Sequence, residues 1–328
     1  MKVAVVGTGS AGRRHLANLL AAGVRDIIAV SEHGRRESLE VEGTPITVRH
    51  DLGGVLSHID AVVIANATSY HLDSLRLAVA ASRHVYIEKP AATGAAGIAE
   101  IAREASKRKL VVAVGTQFRF NDRLQDLADL LACGELGEIL SVRAQMGEHV
   151  ADYHPGEDYR QSYTVRAELG GGVLLTQIHQ VDYLYWLFGP FERVFAVGRT
   201  TSLLGIDVED TVDYLLAARS GAAVNGHLDY LLRPKTVGLE VWGTKGRSAW
   251  DYFANTLIVQ PASNDAPPRT ISSAFDRNAM FKRCLTDFLE RVRDGGRPRA
   301  DLGDALASLA IVDAIKTSMT SGRAVELS

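Results

Sequence analysis

Three glycines near the start of the chain have the spacing of a turn that binds phosphate. Gly7, Gly9 and Gly12 follow the apolar run Lys2–Val6 and precede a helical pattern. In this context the first glycine allows a tight turn, the second lets the backbone approach a pyrophosphate, and the third lets the helix pack close to the strand. The start of the helix also offers unpaired N–H groups to an anion. A glycine turn that only joins a strand to a helix is the alternative.

Glu32 lies 20 residues after Gly12, at the end of the second predicted strand. A carboxylate there accepts hydrogen bonds from ribose hydroxyls and repels a 2′-phosphate. The position therefore favours NAD. Two alternatives stay open: Arg35 and Arg36 could neutralise Glu32 and admit NADP, or Glu32 is a solvated loop charge.

Polar residues also follow the fourth and fifth predicted strands. Asn66, Ala67 and Thr68 come after the fourth, at the sheet edge expected to line a cofactor crevice, although they would also suit as caps of the next helix. Lys89 comes after the fifth, His84–Ile87. A buried strand that ends at this edge would point the ammonium at the nicotinamide, whereas a structural role for the lysine is the alternative.

Together these features resemble the glucose–fructose oxidoreductase and inositol dehydrogenase superfamily, written Gfo/Idh/MocA. The resemblance extends along the whole chain and rests on the glycine turn at 7–12, Glu88-Lys89-Pro90, the stretch Gln117–Asn121, the turn Gly170–Gly172, and a helix with His179 and Asp182 before Leu187–Gly189. It implies an α/β enzyme with an N-terminal Rossmann domain and a C-terminal α+β domain whose open, mainly antiparallel sheet supports oligomers. It also implies NAD or NADP as hydride carrier and sugars, polyols, inositols or sugar nucleotides as substrates.

By the family's motif, Lys89 is the catalytic lysine and His179 is its acid–base partner. Oxidation of a secondary alcohol transfers a hydride to nicotinamide and removes a proton from oxygen, and an imidazole can take that proton near neutral pH. A nearby ammonium stabilises the developing alkoxide. For His179 the alternative is a buried core histidine.

The residues before His179 depart from the family's pattern. Many relatives carry an aspartate three or four residues before this histidine, whereas here Thr176 and Gln177 stand in that stretch. Both can bind a substrate hydroxyl, but neither can hold a proton, so the acid–base work falls on Lys89 and His179. This departure keeps a rival function open, a dinucleotide-binding sensor or regulatory protein without turnover. Asp182 either orients the imidazole or pairs with a neighbouring base.

A long polar segment from Gly147 to Ala167 is the predicted substrate-recognition element, because loops of this length are usually functional or disordered. Some of its residues resemble a stretch of relatives that act on sugar nucleotides or modified sugars: His154, Asp158, Tyr159, Arg160 and Tyr163. Arg160 suits a carboxylate or phosphate. The alternative is a structural arginine paired with Glu157 or Glu168.

These observations give three sets of expected site residues. The catalytic residues are Lys89 and His179. The cofactor contacts are Gly7, Thr8, Gly9, Ser10, Ala11, Gly12, Glu32, Asn66, Ala67, Thr68, His71, Glu88, Lys89 and Gln117. The substrate contacts are Lys89, Arg119, Tyr159, Arg160, Tyr163, Thr176 and His179.

The hydrophobic periodicity predicts two domains, residues 1–118 and 119–328. The first alternates short apolar runs with helical patterns, which is typical of βαβ units, and the second has consecutive strands, which is typical of an antiparallel sheet. The predicted strands are Lys2–Val6, Asp26–Val30, Ile46–Arg49, Asp60–Ala65, His84–Ile87, Val111–Val114, Ile139–Gly147, Arg193–Val197, Thr211–Ala217, Ala222–Tyr230, Val237–Trp242 and Ser248–Phe253. The predicted helices are Arg13–Ala22, His71–Ala81, Ala95–Arg108, Arg123–Leu131, Val173–Phe188, Met280–Arg293 and Asp304–Met319.

Composition narrows the possible partners and compartments. The chain has 328 residues with a net charge of −3 and no block of like charge, so nucleic acid and anionic membranes are not expected partners. Cys133 and Cys284 lie far apart, without the Cys/His spacing of a metal site, which favours a reducing, cytoplasmic compartment. The sequence shows neither a signal peptide nor 18 consecutive apolar residues. Apolar alternation in the late strands predicts a homodimer or homotetramer.

Overall fold

The chain folds around two β-sheets, one in each of two units. The computed structural model describes residues 1–32, 34, 36–153, 156–263 and 266–327. The first unit comprises Met1–Gln117 and Asn278–Leu306, and the second comprises Phe118–Arg277 and Ala307–Ser328. The division predicted at residue 118 therefore differs near the C-terminus. The physical reason is that the late helix packs on the first sheet, where Phe288 contacts Tyr86 edge-on at 5.9 Å.

The elements have the following bounds. The strands are β1 (Lys2–Val6), β2 (Asp26–Val30), β3 (Ser38–Val41), β4 (Thr44–Arg49), β5 (Ala61–Ile64), β6 (His84–Ile87), β7 (Val112–Val114), β8 (Ile139–Gly147), β9 (Phe191–Arg199), β10 (Thr211–Ala218), β11 (Ala223–Asp229), β12 (Thr236–Gly243), β13 (Gly246–Asp251), β14 (Thr256–Pro261), β15 (Arg269–Ser272) and β16 (Val325–Glu326). The helices are α1 (Ser10–Ala21), α2 (Gly53–Leu56), α3 (His71–Ala80), α4 (Ile98–Lys107), α5 (Asp122–Ala132), α6 (Val173–Thr176), α7 (His179–Phe188), α8 (Arg277–Asp294) and α9 (Leu302–Ser321).

The sheet of the first unit has seven strands in the order β3-β4-β2-β1-β5-β6-β7. Every neighbouring pair is parallel except β3–β4 at the edge. The central strands β1 and β5 are buried runs of valine, isoleucine and alanine, as expected for a parallel sheet covered on both faces. Strand order runs outward in both directions from the β1–β5 pair, so the carboxyl ends of these two strands form the crevice where such sheets bind ligands. The predicted fold class is confirmed for this unit.

The sheet of the second unit has nine strands in the order β15-β14-β13-β12-β8-β11-β10-β9-β16. Its neighbouring pairs are antiparallel, with β8–β11 as the parallel exception. Helices α5, α6 and α7 cover one face. On the opposite face Phe195, Val197, Leu215 and Ile258 are exposed. The predicted open, mainly antiparallel sheet is therefore confirmed.

Two sequence predictions differ from the structure. Four strands, β3 and β14 to β16, are absent from the sequence prediction. All four lie at or near sheet edges, and β3, β15 and β16 also include exposed polar residues. The predicted helix Val173–Phe188 is two helices, α6 and α7. The break falls at Gln177, whose amide nitrogen donates to the Tyr153 hydroxyl at 2.9 Å and to the Asp229 carbonyl at 3.2 Å. As a result, His179 is the first residue of α7 rather than a mid-helix residue.

The long segment before α6 is built from four short 3₁₀ turns: Val150–Asp152, Tyr159–Gln161, Tyr163–Val165 and Ala167–Leu169. Side chains stabilise three of them, since His149, Asp158 and Ser162 accept hydrogen bonds from main-chain N–H groups at the turn starts. Across the described residues, every helix is too short or too polar to span a bilayer.

Candidate cofactor and catalytic site

The glycine turn after β1 contains one glycine that the fold itself does not require. Gly7 has a φ of +97°, and a Cβ there would stand 2.5 Å from the Ala65 carbonyl oxygen. A Cβ on Gly12 would overlap the Gly7 carbonyl oxygen. Gly9 has an ordinary φ of −74°, and beyond its chain neighbours no atom of the described residues lies within 4 Å of where its Cβ would stand. The close approach of an external group, such as a pyrophosphate, explains glycine at this position.

Helix α1 begins directly after Gly9. In the described part of the chain no side chain caps it, and its first turn contains no acid. Its first N–H groups and the positive end of its dipole therefore face outward and can bind an anion. Thr8 is half-buried and its hydroxyl lies 3.4 Å from that of Ser31 at the end of β2, while Ser10 is exposed and Ala11 is half-buried. These residues fit a dinucleotide pyrophosphate.

Glu32 is exposed immediately after β2, the neighbour of β1 in the sheet. Its carboxylate is therefore at the same edge as the glycine turn, where a ribose would follow the pyrophosphate. Arg36 is also exposed. Arg35, the other arginine considered for a 2′-phosphate, lies outside the described residues.

The Asn66 turn follows β5. The Asn66 amide nitrogen donates to the Ser74 hydroxyl at 3.3 Å, and its Oδ1 atom is buried without a hydrogen-bond partner among the described residues. A buried acceptor of this kind points to a partner outside the chain, such as a ligand or a water molecule. Ala67 is half-buried and Thr68 is buried. In the described structure neither Asn66 nor Thr68 caps a helix, so the capping alternative is not supported.

Glu88 is a buried carboxylate held by a buried histidine. His15 on α1 contacts Glu88 Oε1 through Nε2 at 2.6 Å, and the main-chain N–H of Lys89 donates to Glu88 Oε2 at 3.2 Å. Burial raises the pKa of Glu88, but the His15 hydrogen bond and charge, with Lys89 and Arg14, outweigh it and lower the pKa to about 2. The ionised carboxylate therefore joins α1 to the strand that precedes Lys89.

Lys89 and His71 are neighbours through Pro90. Lys89 is half-buried after β6, and the next carbonyl oxygen, that of Pro90, lies 2.7 Å from His71 Nδ1. The other ring nitrogen of His71 lies 3.0 Å from the Asn66 carbonyl oxygen. Gln117 is buried after β7. The expected cofactor residues that follow the strands of the first unit thus lie at the carboxyl edge of its sheet, whereas His71 is buried behind it with both ring nitrogens against main-chain carbonyls.

In the second unit, Asp182 pairs with Arg119. Arg119 donates from Nε to Asp182 Oδ2 at 3.0 Å and from Nη2 to Oδ1 at 2.9 Å, and both side chains are buried. The Ser308 hydroxyl lies 3.4 Å from Asp182 Oδ1. Sequence reasoning left both roles open for Asp182. The guanidinium of Arg119 faces this buried carboxylate, so Arg119 helps to position α7, and its role as a substrate contact stays a prediction.

His179 is buried at the start of α7, with its ring 4.9 Å from the ring of Phe118. Phe118 also stacks on Tyr252 at 5.0 Å. The next residue, Gln180, accepts from the Tyr214 hydroxyl at 2.6 Å and donates to the His227 carbonyl at 3.1 Å. These contacts with α7's own neighbours fix the backbone that carries His179.

Sequence reasoning missed the residues that support this helix. Gln180 and Tyr214 carry no motif, so only the fold identifies them. Glu209 is a further case: its Oε1 atom accepts from Leu174 N at 3.3 Å and its main-chain oxygen accepts from Val173 N at 3.0 Å, so it holds the start of α6. Burial raises the pKa of Glu209. A lone acid in a loop gave no signal of this role.

The predicted substrate residues have different surroundings. The Tyr159 hydroxyl donates to the Leu204 carbonyl at 2.8 Å, and Arg160 is exposed, lies 4.9 Å over the Tyr159 ring and is 3.6 Å from Asp158. The proposed structural partner Glu168 instead pairs with Arg166. Tyr163 is exposed and Thr176 is half-buried. His154 lies outside the described residues.

Comparison with known proteins gives the family. Residues 1–116 match the family described as an oxidoreductase family with an NAD-binding Rossmann fold, and residues 124–249 match the GFO/IDH/MocA C-terminal domain. The chain belongs to the GFO/IDH/MocA family. The resemblance predicted from the motifs is therefore confirmed, and so is the NAD-binding Rossmann fold.

Two curated members of the GFO/IDH/MocA family illustrate the distance to known relatives. Myo-inositol 2-dehydrogenase of Thermotoga maritima is 26% identical over 346 residues, which cover 100% of this chain and 98% of the relative. D-xylose 1-dehydrogenase (NADP(+)) 2 of Haloferax volcanii is 26% identical over 281 residues, covering 82% of this chain and 81% of the relative.

A solved structure of levoglucosan dehydrogenase with NADH and L-sorbose has the same fold. It superposes with a TM-score of 0.88 at 20% identity and covers 100% of this chain and 99% of its own. The likeness supports the two-unit architecture of this GFO/IDH/MocA protein.

We predict that Glu88 makes folding sensitive to acid. Because its pKa in the folded protein is about 2, below the ordinary 4.5, its ionised form stabilises the fold above pH 4.5, and this contribution is lost as the pH falls toward 2. Urea unfolding between pH 3 and 6 should show a smaller loss of stability for Glu88→Gln than for the wild type, by on the order of 1–3 kcal/mol. Glu100→Gln, which removes an exposed carboxylate in the first turn of α4, is the control and should follow the wild type. Equal pH dependence of Glu88→Gln and wild type would contradict the assignment.

Proposed function

We propose that this protein is an NAD-dependent oxidoreductase acting on a hydroxyl or carbonyl group of a sugar, polyol, inositol or sugar-nucleotide derivative. The observation that carries the proposal is the carboxyl edge of the first sheet. There the open turn around Gly9 begins α1, and His15 on the same helix holds the carboxylate next to Lys89. The helix proposed to bind phosphate is thus connected to the proposed catalytic lysine through the contact between His15 and Glu88, the residue before Lys89. Family membership and the dehydrogenase relatives support the same activity.

The bound nicotinamide would supply one half of the reaction, as acceptor or donor of the hydride. In the oxidation direction the imidazole of His179 takes the proton from the substrate hydroxyl, and the C–H bond breaks as the carbonyl forms. The Lys89 ammonium stabilises the negative charge that develops on the oxygen. In reduction the same groups act in reverse, with His179 as the proton donor.

The second unit supports a substrate that is rich in hydroxyl groups. Its proposed contacts, Thr176, Tyr159 and Tyr163, carry hydroxyls rather than charges, and the Tyr159 hydroxyl, which donates to the Leu204 carbonyl, can still accept a hydrogen bond. The exposed guanidinium of Arg160 suits a carboxylate or phosphate on a larger substrate. The substrate class can be tested directly by a screen of sugars, inositols and sugar nucleotides with NAD and NADP. The readout is the absorbance of the reduced cofactor. NADH binding without turnover on any of them would favour the sensor function instead.

The oligomer we propose is a homodimer or homotetramer that uses the open face of the second sheet. Phe195 and Leu215 are exposed partners across the β9–β10 pair, and Val197 and Ile258 lie on the same face. A sheet face with large exposed apolar residues usually has a partner. For the compartment we propose the cytoplasm, because Cys133 and Cys284 are both free thiols.

The first functional prediction separates chemistry from binding. Lys89→Met and His179→Asn should each lower kcat on the order of 10²–10⁴-fold, while the affinity for NADH changes little. Steady-state turnover and NADH fluorescence measure the two quantities. Lys107→Met and His58→Asn, at exposed positions on α4 and after α2, are the matched controls and should behave as wild type. Near-normal turnover of Lys89→Met would exclude the mechanism.

A second prediction concerns the ribose. Glu32→Ala should narrow the preference for NAD(H) over NADP(H), because the carboxylate no longer repels a 2′-phosphate. Binding titrations with both cofactors measure the preference. Glu37→Ala removes an exposed acid five residues further on and should leave the preference unchanged. If the wild type prefers NADP(H), Glu32 does not control the site.

A third prediction tests the oligomer. Leu215→Asp should shift the mass measured by light scattering at micromolar concentration toward the monomer value of 35.4 kDa, because a charge cannot be buried in an apolar interface without a large cost. Leu203→Asp changes a leucine that is 76% exposed in a loop, so it should leave the mass unchanged. A wild-type mass of one chain would contradict the proposal.

A further inference from the structure

His71 lies between the two turns that end β5 and β6. Its Nδ1 atom is 2.7 Å from the carbonyl oxygen of Pro90, and its Nε2 atom is 3.0 Å from the carbonyl oxygen of Asn66. The side chain is buried, with 1% of the residue exposed. One ring therefore contacts both the turn that follows Lys89 and the turn that contains Asn66.

The two contacts are not equivalent. A carbonyl oxygen can only accept, so both contacts are hydrogen bonds only when the imidazole is protonated. Burial opposes that form and lowers the pKa of His71 more than the two carbonyls and Glu88 raise it, and Lys89 lowers it further. The neutral ring has one N–H, and the shorter distance assigns it to Pro90.

The position of this bond matters because the sheet ladder does not extend to Lys89. The ladder between β5 and β6 pairs Ile64 with Ile87, and the Glu88 N–H then donates to the Ile64 carbonyl at 2.8 Å. Beyond that point the chain leaves the sheet. Glu88 is held from one side by His15 on α1, and Pro90 is held from the other side by His71 on α3.

We propose that His71 is a positioning residue for hydride transfer, which fixes the Lys89 turn through its Nδ1–H hydrogen bond to the Pro90 carbonyl. The proposal rests on the proposed function of Lys89. It assigns His71 no contact with substrate. A displacement of about 1 Å at a reacting group can cost on the order of 10²-fold in rate, so the loss of one such bond is expected to affect turnover more than binding.

Three substitutions of His71 distinguish positioning from general stability. His71→Asn places an amide N–H near the position of Nδ1 and should retain the Pro90 bond, whereas His71→Gln places it nearer to Nε2 and His71→Leu removes both contacts. We expect kcat to fall on the order of 10–10²-fold in the Leu and Gln variants and to stay within about threefold of wild type in the Asn variant. In all three variants the dissociation constant of NADH should change less than about threefold.

His84→Ala is the matched control. His84 stands at the opposite end of β6, and its Nδ1 accepts from Val111 N at 3.0 Å, so its loss also removes a histidine contact to the main chain. Thermal unfolding should show destabilisation of both His84→Ala and His71→Leu, but only the latter should lose turnover. A kcat for His71→Leu equal to that of His84→Ala, or an Asn variant no better than the Gln variant, would overturn the proposal. If His71→Leu does not fold, the Asn and Gln comparison decides.

A second readout does not depend on turnover. Mass spectrometry after brief treatment with an amine-reactive reagent reports the labelling rate of Lys89 with and without NADH. We expect NADH to protect Lys89 several-fold in the wild type and in His71→Asn, and to protect it much less in His71→Gln. Equal protection in all three proteins would overturn the positioning role. Absence of protection in the wild type would instead count against the proposed function of Lys89, so the two failures are distinguishable.

Discussion

The buried contact between His15 and Glu88 is the interaction on which the first unit's site depends. A carboxylate that is removed from water must be compensated, and here the compensation comes from a histidine on the helix that follows the glycine turn. The same contact therefore stabilises an ionised acid and sets the distance between α1 and β6. Because the glycine turn precedes α1 and Lys89 follows β6, the elements proposed for phosphate binding and for catalysis share one constraint.

The second unit uses a similar arrangement with different residues. The buried pair of Arg119 and Asp182 connects the segment before α5 to α7, and two hydrogen bonds of Gln180 join α7 to the sheet. Arg119, Asp182 and Gln180 each have hydrogen-bond partners, and a buried polar network with partners of this kind favours a single packing. The break at Gln177 then makes His179 the first residue of its helix. In both units, the proposed catalytic residue lies next to a side chain that is held by buried polar contacts.

The residues just before His179 differ from those of relatives that carry an aspartate there. In this chain that stretch is occupied by Thr176 and by Gln177, whose amide is used by Tyr153 and Asp229. The local structure therefore uses this position to end α6 and turn the chain. A carboxylate near the start of α6 is supplied by Glu209. It accepts hydrogen bonds from the main-chain N–H groups of Val173 and Leu174, so its role is structural.

The Rossmann unit, the glycine turn, the strand that precedes Lys89 and the open antiparallel sheet could all be predicted from sequence patterns. These features depend on local patterns: runs of valine and isoleucine, glycine spacing and period-two alternation. Other features became visible only in the folded chain: Asp182 binds Arg119, His15 and His71 contact Glu88 and Pro90, α6 and α7 are separate helices, and residues 278–306 belong to the first unit. Each of these involves partners distant in the chain, such as 63 residues for Arg119 and Asp182 and 73 for His15 and Glu88. Periodicity reports which face of an element is buried, but it does not report which residue that face meets.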